Sequence, residues 1–395
     1  MRRKIFVSLS LCVLAFSALL LYCPGAQAQG VNSFPNCLCG QDYYQSAKAI
    51  SALGAMGGIY IPDSLIQQAL NILDSSGIPI AETPPSTSDT SNSSEQMPTT
   101  PSSISDKSWT SRSTLAFPRS NVAGTECNGK FYVIGGFGTD LKPSATVEEY
   151  NPATNSWTTK TSMPTPRYDL AVASYNGILY AVGGHNGQGE WYNNLEIYDP
   201  STDIWQEKAP IPTAREDLGV DIINGRLYAI GGSNNVGEWL STNEEYDILT
   251  DIWTVKAPMP TGRNAHDLTF VNNRLYVMGG MQETGFSKAN EAYDPSTDKW
   301  ETEASLPTPR RHLGVASLND KIYAIGGYDS TGDLAVNEVY DVKSDSWSLA
   351  PSIKEKRNRF AIATVNDHII IAGGWSDDRA FLGSVEESNY LAFLR

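Results

Sequence analysis

Six arginines recur along the chain, and the residues that follow them carry most of its candidate chemistry. The positions two residues after these arginines hold, in chain order, Asn121, Asp169, Asp217, Ala265, His312 and Arg359. The positions one residue after three of the arginines add Tyr168, Glu216 and Arg311. Together they divide into an acidic half and a basic half. Carboxylates suit proton transfer and guanidinium groups suit the holding of an anion, so the two halves offer complementary chemistry.

A second series of positions follows the double glycines of the sequence. It consists of Phe137, His185, Ser233, Met281, Tyr328 and Trp375. Aromatic and arginine side chains on a concave, partly desolvated surface are good anchors for a peptide or a sugar. A binding surface is therefore predicted if the fold brings both series to one place.

An internal repeat is the element that must position both series. The double glycines are spaced 48, 48, 48, 47 and 47 residues apart. Tryptophans follow the same period, at Trp109, Trp157, Trp205, Trp253, Trp300 and Trp347. A tyrosine recurs between them, at Tyr150, Tyr198, Tyr246, Tyr293 and Tyr340. Six copies of one spacing indicate a repeat array from residue 106 to residue 395.

Each repeat contains four short segments that are typical of β-strands. In one repeat they are "DLGVDII", "RLYAI", "NEEYD" and "DIWTVK". Asn-Gly or Asn-Asp pairs between the first two segments, as at Asn224, are typical of two-residue hairpins. A lone four-stranded sheet would leave its edges and an apolar face exposed, so the sheets are expected to stack around an axis. If the strands alternate in direction, the loops that carry both series leave the same face.

The repeated arginines themselves have a structural interpretation. A glutamate recurs two residues before each tyrosine position, at Glu148, Glu196, Glu244, Glu291, Glu338 and Glu386. Because buried charges need partners, each arginine is expected to pair with the glutamate of its repeat. A charge pair present in every repeat suits architecture better than catalysis, so function is expected where the repeats differ.

The order of apolar residues, double glycine, spaced tyrosine and tryptophan, and then arginine resembles the kelch repeat. The resemblance covers residues 106–395 and implies an all-β fold, a six-bladed β-propeller of kelch repeats. Only 21 residues follow Gly374, enough for a third strand but not a fourth. An N-terminal strand around Trp109 is therefore expected to complete the last blade. That blade departs from the pattern, because Ser388 occupies its tyrosine position.

In kelch propellers that bind ligands, these two series commonly make the contacts. The resemblance therefore implies ligand-binding roles for Asn121, Tyr168, Asp169, His185, Glu216, Asp217, Arg311, His312, Tyr328, Arg359 and Trp375. The predicted function is that of a binding module which recognises a protein or glycan ligand through one face of the propeller. Binding without catalysis is the favoured interpretation.

A sugar enzyme is the alternative. Exported bacterial six-bladed kelch propellers include sialic-acid epimerases (mutarotases). By that resemblance, Glu216 or Asp217 would move a proton while Arg359 or Arg311 holds the sugar carboxylate. Radical copper oxidases also use kelch propellers, but they need a cysteine crosslinked to a ligand tyrosine, and Cys127 precedes a tight turn away from both series. The four histidines are scattered, so no metal site and no cofactor are predicted.

The first 105 residues are predicted to lie outside the array. Residues 1–28 have the basic start, apolar run and small-residue end of a secretory signal peptide, with an uncleaved membrane anchor as the alternative. Residues 29–80 are predicted to form a small helical segment, and residues 81–105, rich in Ser, Thr and Pro, a disordered linker. Cys37 and Cys39 are too few for a disulfide framework or a zinc site, although a bridge from either stays open.

Composition limits the partners of the chain. It has 44 acidic and 29 basic residues, and its formal net charge is −15 at pH 7. This excess of negative charge disfavours nonspecific binding to nucleic acid or to an anionic membrane. The mature chain is expected to be a monomer without a membrane span after signal cleavage, and to be secreted, periplasmic or at the cell surface.

Overall fold

A computed structural model describes residues 109–377 and 380–389 of the chain. The predicted signal peptide, the helical segment with Cys37 and Cys39, and the linker all lie outside the described residues. Within them the fold is all-β, as predicted, and consists of six four-stranded antiparallel sheets with four additional two-stranded ladders. No helix in this described part of the chain is long and apolar enough to cross a membrane.

The six sheets are the blades of a propeller, and each strand in them spans four or five residues. Blade 1 contains Ala123–Cys127, Lys130–Ile134, Val147–Asn151 and Ser156–Lys160. Blade 2 contains Ala171–Tyr175, Ile178–Val182, Leu195–Asp199 and Ile204–Lys208. Blade 3 contains Gly219–Ile223, Arg226–Ile230, Asn243–Asp247 and Ile252–Val255.

The other three blades repeat this order of strands. Blade 4 contains Asp267–Val271, Arg274–Met278, Asn290–Asp294 and Lys299–Thr302. Blade 5 contains Gly314–Leu318, Lys321–Ile325, Asn337–Asp341 and Ser346–Leu349. Blade 6 contains Ala361–Val365, His368–Ala372 and Val385–Ser388 and is completed by Trp109–Arg112. The first strands of neighbouring blades contact one another around the whole ring, so they line the axis.

The strand that begins at Trp109 closes the ring, which confirms the prediction. It pairs antiparallel with the third strand of blade 6, with Trp109 opposite Ser388. Arg112 binds Glu387 at 2.8 Å across this junction. The indole Nε1 of Trp109 donates to the carbonyl oxygen of Pro351 in blade 5 at 3.0 Å. The two ends of the array are thus joined by backbone, ionic and side-chain contacts.

The repeated tryptophans and tyrosines join neighbouring blades. Trp205 of blade 2 donates from Nε1 to the carbonyl oxygen of Thr161, 2.9 Å away at the end of blade 1. Tyr198 donates to Asp203, whose Oδ1 also accepts the backbone N–H of Thr161 at 3.0 Å. The same indole–carbonyl bond joins Trp157 to Ser113, Trp253 to Ala209, Trp300 to Ala257 and Trp347 to Ala304. Six apolar clusters accompany these bonds, so each blade boundary has its own core.

The two faces of the propeller differ in their loops. Two-residue turns such as Asn224-Gly225, both at positive φ (51° and 75°), connect first and second strands on one face. On the opposite face, short ladders extend the loops beyond the second strands. They pair Arg119–Ser120 with Phe137–Gly138, Met281–Gln282 with Gly285–Phe286, Tyr328–Asp329 with Gly332–Asp333, and Trp375–Ser376 with Ala380–Phe381. Both series of candidate residues lie on this second face.

Candidate functional site

The repeated arginines hold the backbone of the site in place. Arg215 is fully buried and donates to Oε2 of Glu244 at 2.5 Å and to the carbonyl oxygen of Ala229 at 2.8 Å. The other five repeats have the same ion pair, Arg119–Glu148, Arg167–Glu196, Arg263–Glu291, Arg310–Glu338 and Arg357–Glu386. The predicted structural role of these arginines is therefore correct. Each one ties the start of a site loop to the second and third strands of its blade.

The double glycines let that loop pass close to the strand end. Gly231 and Gly232 have φ values of 63° and 101°, which L side chains rarely adopt. A Cβ atom on Gly232 would lie 2.5 Å from the carbonyl oxygen of Glu216. Because nothing larger fits, Glu216 and Ser233 can exchange two backbone hydrogen bonds, both of 3.0 Å. The residue after the arginine and the residue after the glycines are thereby fixed side by side.

The residues two positions after the arginines form a closed ring of backbone hydrogen bonds around the axis. The amide of Asp217 donates to the carbonyl oxygen of Asp169 at 2.9 Å, and the amide of Ala265 donates to that of Asp217 at 3.0 Å. The ring continues through His312, Arg359 and Asn121 and returns to Asp169. All six residues have φ between 51° and 56°. We call them the axial ring.

Outside the axial ring, each blade contributes three further residues that are paired by backbone bridges. In blades 1 to 6 they are Ser120, Phe137 and Pro143; Tyr168, His185 and Trp191; Glu216, Ser233 and Trp239; Asn264, Met281 and Phe286; Arg311, Tyr328 and Asp333; Asn358, Trp375 and Phe381. We call the axial ring together with these triplets the funnel. It forms the mouth of a channel of about 330 Å³ along the axis.

The acidic half of the funnel is a cluster of closely spaced polar side chains. His185 lies with Nε2 at 2.5 Å from Oε2 of Glu216 and at 3.8 Å from Oδ2 of Asp169. Its Nδ1 accepts the backbone N–H of Gly187 at 2.9 Å, which places the ring hydrogen on Nε2. Asn121 donates to the other oxygen of Asp169 at 2.7 Å. The carboxyl groups of blades 2 and 3 are thus held in fixed orientations.

These three side chains have the spacing of a metal site but not its hydrogen bonding. Asp169, His185 and Glu216 offer ligand atoms that all lie within 4.8 Å of one another. A metal-binding histidine normally donates its second ring N–H to an acceptor. Here Nδ1 accepts the backbone N–H of Gly187. A metal on Nε2 would place the ring hydrogen on Nδ1, where it would face that N–H group. The hydrogen bond that His185 Nδ1 accepts therefore does not fit a metal site at these three side chains.

Burial favours the neutral forms of the two axial carboxyl groups. Burial, followed by the charge of Asp169, raises the pKa of Asp217 well above its usual range, although Arg359 and Arg311 oppose the shift. Burial and the charge of Glu216 likewise raise the pKa of Asp169. Each of these side chains still exposes some surface, 16% for Asp217 and 12% for Asp169, so a ligand can reach them.

The basic half contains two guanidinium groups that differ from the structural arginines. Arg311 lies over the rings of Tyr328 and Phe286, 5.5 Å and 5.9 Å from their centroids. Neither Arg311 nor Arg359 is paired with a carboxylate of residues 109–377 or 380–389, and the Nε atom of each is buried without an acceptor. Burial and both guanidinium charges lower the pKa of His312 well below its usual range, so its ring is neutral.

An arc of aromatic rings borders the funnel over blades 6, 1 and 2. Ring centroids lie 4.1 to 6.1 Å apart along its contacts. In order they are Trp375, Phe381, Phe137, Tyr168, His185 and Trp191. Trp191 stacks on His185 at an interplanar angle of 13°, and Trp239 occupies the same position in blade 3 with 38% of its surface exposed. Flat apolar faces therefore stand beside the carboxyl groups.

The structure brings all the sequence-predicted site residues to this one funnel. Asn121, Asp169, Asp217, His312 and Arg359 lie in the axial ring, and the remaining residues lie in the surrounding triplets. Sequence reasoning missed the outer members Trp191, Trp239, Phe286 and Phe381, together with Asn264 and Asn358. The asparagines follow their arginines directly, as Glu216 follows Arg215, and that offset was a usable signal.

The channel below the funnel contains two further buried carboxyl groups. Asp221 accepts the backbone N–H of Phe270 in blade 4 at 2.9 Å, and Asp267 accepts that of Val315 in blade 5 at 2.7 Å. Burial raises the pKa of Asp221 to about 6 and that of Asp267 to about 7. Both groups join neighbouring first strands, so they are structural links between blades.

Comparison with known proteins agrees with this architecture. Residues 131–380 match the model of the Attractin/LZTR1 beta-propeller family. A solved structure titled "Structure of YjhT" has a similar fold, with a TM-score of 0.59 and 17% identity, and the match covers 69% of this chain and 95% of that one. No curated protein matches the chain. Because the family match spans more than half of the sequence and the six blades carry the kelch-type repeat, the chain belongs to the Attractin/LZTR1 beta-propeller family.

Proposed function

We propose that the chain is a binding module which recognises a saccharide group through the funnel. The observation that supports this proposal is the pair of guanidinium groups of Arg311 and Arg359, which pair with no carboxylate in the described part of the chain although carboxyl groups lie across the same funnel. A folded chain rarely leaves buried charges unpaired unless a ligand completes them.

The surroundings of these charges favour a saccharide over a flat protein surface. Saccharides present hydroxyl groups around their edges and apolar C–H faces above and below the ring. The funnel has matching parts, since carboxyl and amide groups lie at its centre and an aromatic arc that includes Tyr168 and Trp191 lies at its border. The alternative ligand for such a binding module is a protein that inserts a charged loop into the funnel.

A screen of the mature protein against a glycan array and free sialic acid tests this function. We expect saturable binding to a subset of glycans, at least tenfold weaker in Arg359→Ala and in Asp217→Ala. Glu207→Gln, on an exposed outer strand of blade 2, is the matched control and should bind like the wild type. Unchanged affinity in both funnel variants would place the binding site elsewhere. Binding only to protein baits would favour the protein ligand.

A sugar epimerase (mutarotase) is the second candidate, and one observation favours it. Glu216 and Asp217 are adjacent but have different surroundings, since Oε2 of Glu216 lies 2.5 Å from Nε2 of His185 while burial raises the pKa of Asp217. Carboxyl groups whose environments differ in this way suit the base and acid roles of proton transfer. NMR of anomer exchange in free sialic acid separates the two candidates. Accelerated exchange that is lost in Glu216→Gln indicates catalysis. Binding without accelerated exchange indicates a binding module.

We propose further that the module is exported as a monomer. The basic start and apolar run of residues 1–28 support export, and the net charge of −15 supports a partner other than nucleic acid or an anionic membrane. N-terminal sequencing of the protein from a fractionated host should give Gln29 as the first residue. Light scattering should give the mass of one chain.

A further inference from the structure

Opposite charges face each other in the funnel without forming ion pairs. Every structural arginine contacts its glutamate, yet Arg359 and Arg311 contact no carboxylate among the residues that the structure describes. Arg359 is nevertheless near enough for its charge to lower the pKa values of Asp169 and Asp217 against the effect of burial. The space between these groups is therefore bounded by acid on one side and by guanidinium on the other.

The fold itself keeps these charges apart. The guanidinium of Arg311 is held over the faces of Tyr328 and Phe286. The backbone of Arg359 is fixed at φ 54° by the axial ring. On the other side, Asn121 and His185 restrain Asp169 and Glu216. The contacts of Arg311, Asp169 and Glu216 hold these side chains in place, so both signs of charge remain available to a ligand.

The interior of the funnel has further groups without partners. His312 is 8% exposed, and its Nδ1 lies 3.9 Å from Oδ1 of Asp217, beyond hydrogen-bonding distance. Oδ1 of Asn264 is buried without a donor. Asn264 belongs to blade 4, between Glu216 of blade 3 and Arg311 of blade 5, and His312 lies next to Arg359 in the axial ring. A ligand that spans the funnel would therefore find both acceptors and donors along its path.

We propose that the ligand is zwitterionic, with an ammonium group on the acidic side and a phosphate or carboxylate group on the basic side. The inference rests on the proposed function, because it assumes that the funnel is the binding site. A neutral saccharide would leave both sides unpaired, and an anionic one would pair only with Arg311 and Arg359. A ligand with both charges pairs with both sides. Hydrogen bonds that involve an ionised group are stronger than those between neutral groups.

Proton linkage gives this proposal an independent readout. An ammonium group beside Asp217 favours its ionised form, which burial and the charges of Asp169 and Glu216 oppose. The charged or titratable groups around Asp217 are Asp169, Glu216, Arg311, Arg359 and His312. Binding of the ammonium group should therefore release a proton from the protein, whereas binding of the anionic group alone should not.

Four amino-sugar probes on one scaffold test the proposal by calorimetry of the mature full chain at pH 7. They are glucosamine 6-phosphate, N-acetylglucosamine 6-phosphate, glucosamine and N-acetylglucosamine. We expect the first to bind at least tenfold tighter than each of the others, with proton release seen as a dependence of the heat on the buffer. Asp169→Asn with Asp217→Asn should remove the advantage of the free amine, and Arg359→Asn the advantage of the phosphate.

The outcomes separate this inference from the proposed function. Equal affinity for glucosamine 6-phosphate and its N-acetylated form would overturn the zwitterion and leave a saccharide site for anions. Failure of all four probes, together with no binding on the glycan array, would overturn the saccharide site itself. Binding that survives both the double aspartate variant and Arg359→Asn would place the site outside the funnel.

Discussion

Nε2 of His185 lies 2.5 Å from Oε2 of Glu216, which belongs to the neighbouring blade. The backbone N–H of Gly187 binds the other ring nitrogen, so the imidazole has one tautomer and one orientation. This contact crosses the boundary between blades 2 and 3 at the border of the funnel. It makes a carboxylate of blade 3 depend on a loop of blade 2, and it distinguishes the cluster from a metal site.

The tautomer of His185 is the first prediction. Long-range ¹H–¹⁵N spectra at pH 7.5 should show Nε2 protonated and Nδ1 unprotonated, and the chain has only four histidines to assign. Adding one equivalent of Zn²⁺ should leave these resonances and the melting temperature unchanged, because Nε2 has no free lone pair. Movement of the His185 resonances on adding Zn²⁺, with loss of the effect in Glu216→Gln, would show that Asp169, His185 and Glu216 form a metal site after all.

Substitution by asparagine should lower the free energy of unfolding at Arg357 but not at Arg359. Arg357 is fully buried and bonded to Glu386, so Arg357→Asn leaves a buried carboxylate unpaired and should cost about 3–5 kcal/mol. Arg359 has no ion-pair partner among residues 109–377 and 380–389, and its φ of 54° is one that asparagine tolerates and already adopts at Asn121. Arg359→Asn should therefore leave the free energy of unfolding unchanged or raise it by about 1 kcal/mol.

Urea unfolding measures both variants, and ligand binding completes the comparison. Arg359→Asn should bind anionic ligands more weakly and keep the stability of the wild type. This result is expected if Arg359 serves ligand binding although its positive φ strains the backbone. Destabilisation of Arg359→Asn by as much as Arg357→Asn would instead assign Arg359 a structural role like that of the repeated arginines.

The periodic residues predict the number of blades and the contacts between them. The spacing of Trp205, Tyr198 and the double glycines predicts blades because each residue type makes the same contact in nearly every repeat. The arginine–glutamate pairs follow from charge and periodicity together. The closing strand at Trp109 follows from counting strands after Gly374, and register alone then placed Ser388 opposite it. Repetition therefore carries the architecture.

The sequence predicts only some of the site residues, because the site depends on residues that differ between the repeats. Offsets from Arg215 and Gly232 found Glu216 and Ser233, since backbone pairing fixes those positions. Trp191 and Trp239 come from loops whose lengths differ between blades, so no constant offset reaches them in every blade. The axial ring needs six chain segments at one axis, and the raised pKa of Asp217 depends on its burial. Neither property is local in sequence.

The channel carboxyl groups give stability a definite pH dependence. Folding raises the pKa of Asp221 to about 6 and that of Asp267 to about 7, above the value near 4 of an unfolded chain. Between pH 4 and pH 7 the folded chain therefore binds more protons than the unfolded one. Their contribution is fully present below pH 4 and is lost as pH rises, by up to about 1.4 kcal/mol per pH unit for each group.

Urea titrations from pH 4.5 to pH 8 test this contribution by difference. The combined Asp221→Asn and Asp267→Asn variant should lose less stability with rising pH than the wild type, by about 2 kcal/mol per pH unit between pH 5 and pH 6. Glu207→Gln, at an exposed position, is the control and should follow the wild type. Parallel pH profiles for wild type and double variant would show that neither channel carboxyl group titrates in this range.

The closing strand should be a point of high sensitivity, because one short strand fastens the two ends of the ring. Trp109 is 2% exposed, packs on blades 5 and 6, and donates to Pro351. Trp109→Ala should cost about 3–5 kcal/mol from the lost burial and the cavity left behind. It should also expose blade 6 to proteolysis first, since its third strand becomes an unprotected edge.

Two matched variants separate ring closure from general damage. Trp157→Ala removes the equivalent indole from blade 1, where the side chain is only partly buried and all four strands are consecutive, so its cost should be smaller. Leu349→Ala, at a side chain that is 78% exposed, should change stability by less than about 0.5 kcal/mol. Urea unfolding gives the free energies, and mass spectrometry of limited digests gives the first cleavage site. Equal losses in the two tryptophan variants, with cleavage spread over all blades, would mean that the junction at Trp109 is no weaker than any other blade boundary.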